Sequence, residues 1–224
     1  MDPLRSEADL IVYLDVKSPY AYLSIDPTRK LIREFGISID WRPLTLNIPS
    51  FLGSAKADST GQVVESNRTP RQWQSVRYAY MDVKRYARRR DILLYGPRKI
   101  WDTSLVHMSW MYVQERDLEK FDTYIDEIFL RFWKRELDVE DAQVLQDVMD
   151  SIQIDSAGFA DYADGSGRES HDEFQGKLHG SGIFGVPTYV INQEVFFGRE
   201  HLPMVRWILG GKLGSPPDIE YSLD

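Results

Sequence analysis

The chain has 224 residues, of which 42% are apolar and 28% charged; this is enough apolar material for an ordinary core and excludes a wholly disordered chain. Its net charge of −8, with a pI of about 5.1, excludes the basic footprint of a nucleic-acid surface. It contains no cysteine, so disulfide staples, thiol nucleophiles, thiolate metal sites and iron–sulfur clusters of its own are excluded too.

In chain order, Met1 to Asp9 is charged, and the apolar stretch Leu10 to Leu14 is too short for a secretory signal core. No run approaches the roughly 20 apolar residues of a membrane span. The expectation is a soluble cytoplasmic protein with neither a membrane nor a nucleic-acid partner, and the lack of cysteine is comfortable in a reducing compartment. Ala8 to Val16 is short, apolar and β-branched between polar flanks, which reads as a buried strand. Ser18-Pro19 then supplies an N-cap and a proline for the first helical position. That helix is expected to reach Phe35 and stop at Gly36, and the alternating Ile37 to Trp41 reads as a second strand. Strand, helix and strand this close together make a βαβ unit with parallel pairing.

Pro43 to Pro70 lacks a period and carries Gly, Ser, Asn and Pro, so it reads as a long loop. From Arg71 to about Leu178 the period turns helical. Trp73, Val76, Tyr80, Val83 and Ala87 fall on one face, as do Phe121, Ile125, Ile128 and Phe132, and these aromatic stripes read as core. Asp102, Thr103 and Asp138 are candidate caps. The basic run Lys84 to Arg90 reads as a solvated helix end complementing the macrodipole, and the acidic run Asp138 to Asp141 as a solvated helix start. Gly165-Ser166-Gly167 interrupts the block, and a further helix is expected to reach His179. After Gly185-Val186-Pro187 come two short strands, Thr188 to Ile191 and Val195 to Phe197, joined at Asn192-Gln193. A last helix is expected from Glu200 to Leu209, ending at Gly210-Gly211.

The order is therefore βαβ, helical block, ββα. The outer pieces assemble an α/β thioredoxin-like core, discontinuous over residues 1–65 and 180–224, with residues 66–179 as an all-helical insertion between its halves.

Three features carry candidate chemistry. A helix N-terminus holds unpaired N–H groups and about half a positive charge, so it favours an anion. Ser18 stands there, and its hydroxyl either caps the helix or donates to a bound thiolate, lowering that thiol's pKa. Lys17 beside it either adds a cation to the same place or points to solvent. Were the Val186–Pro187 bond cis, the backbone N–H and C=O of Val186 would be free to pair with an extended ligand. Glu200 either accepts an ammonium group or serves as a first-turn acid. A Ser-His-Asp hydrolase is disfavoured because no Gly-x-Ser-x-Gly elbow surrounds Ser18. Among the histidines, His107, His171, His179 and His201, no spacing matches a metal site.

Taken together, Asp15-Val16-Lys17-Ser18-Pro19-Tyr20-Ala21-Tyr22-Leu23, Trp41-Arg42-Pro43, Asn67 with Pro70, Tyr80-Met81-Asp82 with Arg85 and Ala87, Gly182 to Thr188 and Phe197 to Leu202 give the chain a specific likeness. It resembles the 2-hydroxychromene-2-carboxylate isomerases and kappa-class glutathione transferases, a DsbA-like branch of thioredoxin folds, over nearly its whole length. The resemblance implies glutathione as cofactor. It also implies Ser18 on the glutathione thiolate, the Val186 backbone beside Pro187 on the cysteinyl part, and Gly198, Arg199 and Glu200 near the γ-glutamyl end. Asn67 lies in a loop that the family uses near the substrate. The family carries aspartate and then arginine where this chain has Glu200 and His201. The implied reaction is addition of the thiolate to an activated carbon of an aromatic or other electrophilic small molecule, followed by isomerisation or by release of a conjugate. The Phe51-Leu52 segment and the aromatic-rich helices are expected to wall the substrate's pocket. A homodimer is also implied. The competing reading is a thioredoxin-fold binding or chaperone-like module without catalysis.

Overall fold

The computed structural model describes residues 1–178 and 180–218. His179, where the helix after Gly167 was expected to end, and the residues after Asp218 lie outside them. The chain divides into two compact units, one formed by Met1–Leu44 with Asp172–Asp224 and the other by Thr45–His171.

The first unit is built on a four-stranded sheet ordered β2-β1-β5-β6, comprising β1 (Leu10–Leu14), β2 (Ile39–Pro43), β5 (Thr188–Ile191) and β6 (Glu194–Phe197). All five β1 residues are buried, as their unbroken apolar run predicts for a central strand. Burying such side chains contributes on the order of 1.5–3 kcal/mol apiece. β1 pairs parallel with β2 through the crossover helix α1 (Pro19–Phe35) and antiparallel with β5. Pro43 ends β2, an edge strand, where its missing N–H is tolerated. The β5–β6 hairpin turns at Asn192 and Gln193, whose φ values of 52° and 65° suit a two-residue turn that follows the twist of the strands.

Successive β1 side chains point to opposite faces. On one face the Tyr189 hydroxyl of β5 reaches Thr28 of α1 at 3.5 Å. On the other, the Tyr13 ring stacks on Phe174, 6.2 Å between centroids. Phe174 belongs to α8 (Ser166–Leu178), inside which the second unit boundary falls. The last helix, α9 (Leu202–Leu209), is tied to α1 by Arg206 on Glu34. It begins later than expected. Arg199–His201 forms a separate 3₁₀ turn, and Pro203 stands in the first turn of the helix proper.

Buried Arg42 fastens the N-terminal segment to the sheet. Its guanidinium donates to the Asp2 and Arg5 carbonyls, to Asp40 and to the Tyr13 hydroxyl. The Tyr13 hydroxyl in turn donates to the Pro3 carbonyl at 2.8 Å.

The second unit corrects the reading of Pro43 to Pro70 as one long loop. That stretch holds a short helix, α2 (Ile48–Leu52), and an antiparallel hairpin of β3 (Ala55–Ala57) and β4 (Val63–Ser66). The Asp58 carboxylate knots the hairpin's tip, accepting from the N–H groups of Thr60 and Gln62. Then follow α3 (Pro70–Arg88), α4 (Ser104–Arg116), α5 (Phe121–Trp133), α6 (Ala142–Ser151) and α7 (Phe159–Asp164). Thr69 and Gln72 form a capping box at the start of α3. Trp110 of α4 meets Phe121 edge-on at 5.3 Å, and the Ser109 and Tyr124 hydroxyls bond at 2.6 Å.

One cap expectation needs correction: Asp141, rather than Asp138, caps α6. Thr103 does stand at the N-cap of α4, without a side-chain capping bond. The first and last residues of this unit share one hydrogen-bonded cluster. Thr45 Oγ1 lies 2.7 Å from His107 Nδ1 and 2.9 Å from His171 Nε2, with both imidazoles buried.

Candidate active site

The end of the first unit's sheet gathers most of the residues marked in the sequence. Tyr13 of β1 stands opposite Thr188 of β5, and Thr188 stands opposite Phe197 of β6. β1 therefore leaves the sheet toward Ser18 at the end where Val186-Pro187 enters β5 and where β6 runs into Gly198, Arg199 and Glu200.

Ser18 is the N-cap of α1, with extended backbone (φ −93°, ψ 115°) and Pro19 directly after it. Its N–H is held by the Asp15 carbonyl at 2.9 Å, which fixes the turn from strand to helix. Ser18 Oγ accepts the Ala21 N–H at 3.3 Å, satisfying one open donor of the helix. The residue is 6% exposed, and among the described residues its hydroxyl proton has no acceptor. Capping uses an oxygen lone pair and leaves the hydroxyl proton able to donate.

The Val186–Pro187 bond is cis. β5 begins at Thr188, and among the described residues no hydrogen bond reaches the Val186 N–H or C=O. A backbone donor and acceptor side by side at a sheet end can pair with an extended peptide-like ligand. The Pro187 carbonyl is engaged, accepting the Gly198 N–H at 2.8 Å, and the Thr188 hydroxyl donates to the Gly185 carbonyl at 2.7 Å.

Gly198 has φ +106°, and a Cβ there would lie 2.4 Å from the Glu200 carboxylate. Only glycine lets the Glu200 side chain fold over that turn. Glu200 is exposed, and the Arg199 guanidinium lies over the Tyr20 ring in the first turn of α1, 5.7 Å from its centroid. Opposite charges on adjacent residues suit a ligand head carrying both an ammonium and a carboxylate. Burial pushes the nearby Tyr189 phenol up to about 12, so it stays neutral across the physiological range.

Asn67 belongs to the other unit. Its Oδ1 accepts the Ser54 N–H at 2.6 Å and so closes the base of the β3–β4 hairpin. In the same unit Phe51 ends up half exposed, in the last turn of α2.

Several features of the folded chain lie beyond the sequence reading, which left Lys17 either beside Ser18 or in solvent. Asp15 and Lys17 are both buried and pair with each other; the one signal was an acid and a base two positions apart at the end of a strand. Phe184 and Phe197 form an exposed ring pair, 4.8 Å between centroids, flanking the Val186-Pro187 loop. Gly185 makes room for it, since a Cβ there would lie 2.5 Å from the Phe197 ring. Thr45, His107 and His171 are too far apart in sequence for any spacing rule to connect them. Among the described residues no cluster of three or more His, Cys, Asp or Glu could hold a metal ion, and no helix is long and apolar enough to cross a membrane.

Comparison with known proteins bears on this arrangement. The DSBA-like thioredoxin domain family matches residues 9–210. A 2-hydroxychromene-2-carboxylate isomerase of Pseudomonas sp. (strain C18) is 24% identical over 208 residues, 89% of each chain. A solved 2-hydroxychromene-2-carboxylate isomerase superposes with a TM-score of 0.70 at 21% identity, covering 92% of this chain and 99% of that one. The cytosolic disulfide reductase DsbM of Pseudomonas aeruginosa, solved with GSH, gives a TM-score of 0.58 at 13% identity, covering 91% of this chain and 98% of that one.

Proposed function

The chain belongs to the DSBA-like thioredoxin domain family, and from that premise we propose that it is a glutathione-dependent isomerase acting on an aromatic or other electrophilic small molecule. The isomerase reading draws on the relatives of that name and is favoured over conjugate-releasing transfer for that reason. One observation carries the glutathione reading. A buried serine hydroxyl with its proton free to donate, at a helix N-terminus, shares a sheet end with the unpaired backbone of Val186.

The residues fit a γ-glutamyl tripeptide. The Val186 N–H and C=O would pair with its cysteinyl backbone. Glu200 would accept its ammonium group, and Arg199 would receive its carboxylate. The tripeptide supplies a nucleophilic thiolate when bound. Ser18 holds that sulfur in its charged form by donating its hydroxyl proton, aided by the positive end of α1. Since the chain has no cysteine, exchange between two thiols of its own is excluded, and the family fold here serves a thiol brought from outside.

The test is calorimetric titration of reduced glutathione into the wild type and Ser18→Ala, with thiol ionisation read by ultraviolet absorbance. Isomerisation of 2-hydroxychromene-2-carboxylate is then assayed with and without the tripeptide. Binding with a depressed thiol pKa that Ser18→Ala loses, together with tripeptide-dependent turnover, is expected. No binding at millimolar glutathione would overturn the reading and leave a thioredoxin-fold binding module.

A further inference from the structure

Directly ahead of Ser18 the chain buries two opposite charges. Asp15 is fully buried and Lys17 is 9% exposed. Lys17 Nζ stands 3.5 Å from Asp15 Oδ2, while Asp15 Oδ1 accepts the backbone N–H of Lys17 at 3.1 Å. The Asp15 carbonyl holds the Ser18 N–H, so pair and serine belong to one turn. Removing two ions from water is only partly offset by their attraction, and apolar residues of similar size often fold at least as well. A buried ion pair beside a candidate anion site is therefore better explained by electrostatics at that site than by stability.

We infer that Asp15 and Lys17 form a charge couple that sets the ionisation of the thiol held at Ser18. The inference rests on the glutathione reading. The Lys17 ammonium favours the thiolate, and Asp15 opposes it and limits how acidic the thiol becomes. Lys17 thus acts as a positioning residue, through field and turn geometry. Charged side chains of this unit at the same sheet end include Arg199 and Glu200, in the turn after β6, and Arg42 of β2, which stands opposite Tyr13. Arg199 rests over Tyr20, and Glu200 folds over Gly198. The couple is the charged group in the strand-to-helix turn itself.

The experiment follows thiolate absorbance near 240 nm of bound glutathione across a pH titration, in wild type, Lys17→Met, Lys17→Arg and Asp15→Asn. Affinity for S-methylglutathione, which has no ionisable thiol, is measured in parallel. The midpoint is expected to rise by about one pH unit in Lys17→Met, to fall in Asp15→Asn and to stay within a few tenths of wild type in Lys17→Arg. S-methylglutathione affinity is expected to change less than threefold throughout. A merely structural pair would move Lys17→Met and Asp15→Asn in the same direction and weaken S-methylglutathione as well. That result, or an unmoved midpoint in Lys17→Met while Ser18→Ala still shifts it, overturns the inference and leaves the glutathione reading standing. If Asp15→Asn fails to fold by circular dichroism, the methionine and arginine variants at Lys17 decide. If wild type binds neither ligand, the glutathione reading fails and the inference falls with it.

Discussion

The Gly198 N–H donates to the Pro187 carbonyl at 2.8 Å, tying the turn after β6 to the residue that leads into β5. The turn that carries Arg199 and Glu200 is thereby held in register with the free backbone of Val186. Gly198→Ala would keep the bond's atoms but bring a Cβ within 2.4 Å of the Glu200 carboxylate, at a φ of +106°. A loss of about 1–3 kcal/mol in stability and at least tenfold in glutathione affinity is expected. Gly36→Ala is the control. Its φ is +64°, with nothing within 4 Å of the added carbon, so a loss near 1 kcal/mol without change in affinity is expected from denaturant melts and calorimetry.

Arg42→Met tests the anchor of the N-terminal segment. Apolar replacement leaves the Asp2 and Arg5 carbonyls without their donor and leaves Asp40 without its guanidinium. About 2–4 kcal/mol should be lost. Limited proteolysis should cut within residues 1–7 in the variant before the wild type is touched; equal cutting rates would refute the anchor.

Tyr189 gives a pH dependence with a definite sign. Burial raises its phenol from an ordinary 10 to about 12. Its contribution is complete below pH 10 and is lost as pH rises through about 12, because the unfolded chain ionises first. Stability should fall with pH across that window by about 1.4 kcal/mol per unit from this group alone. Thermal melts from pH 9 to 12 should show a shallower decline in Tyr189→Phe; identical slopes would remove Tyr189 from the account.

Thr45→Val removes the hydroxyl shared by two buried imidazoles and leaves a ring nitrogen of each without that partner. A loss of about 1–3 kcal/mol is expected in chemical denaturation. Hydrogen exchange should rise in α4 and early α8 and stay unchanged at β3–β4.

The parts of the fold legible in the sequence were those with strong local chemistry. The apolar β1, Ser18-Pro19, Gly36 and the Asn192-Gln193 turn each declare themselves within a few residues. The α2–β3–β4 stretch did not. Its elements are three to five residues long, and every β4 side chain is exposed, so no alternation of apolar and polar residues marks it. The start of α9 was misread for another local reason. Glu200 looks like a first-turn acid, but Gly198 at positive φ leads into a 3₁₀ turn that delays the helix. At the site, Ser18 and Val186-Pro187 were legible because their chemistry is in the main chain and its caps. The burial of Lys17 was not, since only folding decides whether a lysine after a strand is solvated.

The Thr45 cluster also bears on how such a chain can change over evolutionary time. The segment from Thr45 to His171 is clasped where it begins and where it ends, by a hydroxyl, an imidazole on α8 and a second imidazole on α4. Its termini are thus fixed by its own contents. Helices between them can lengthen, shorten or exchange sequence while the two exits keep their spacing, so long as these three side chains persist. The segment has the character of a replaceable cassette, and diversity among related chains should concentrate between its clasped ends.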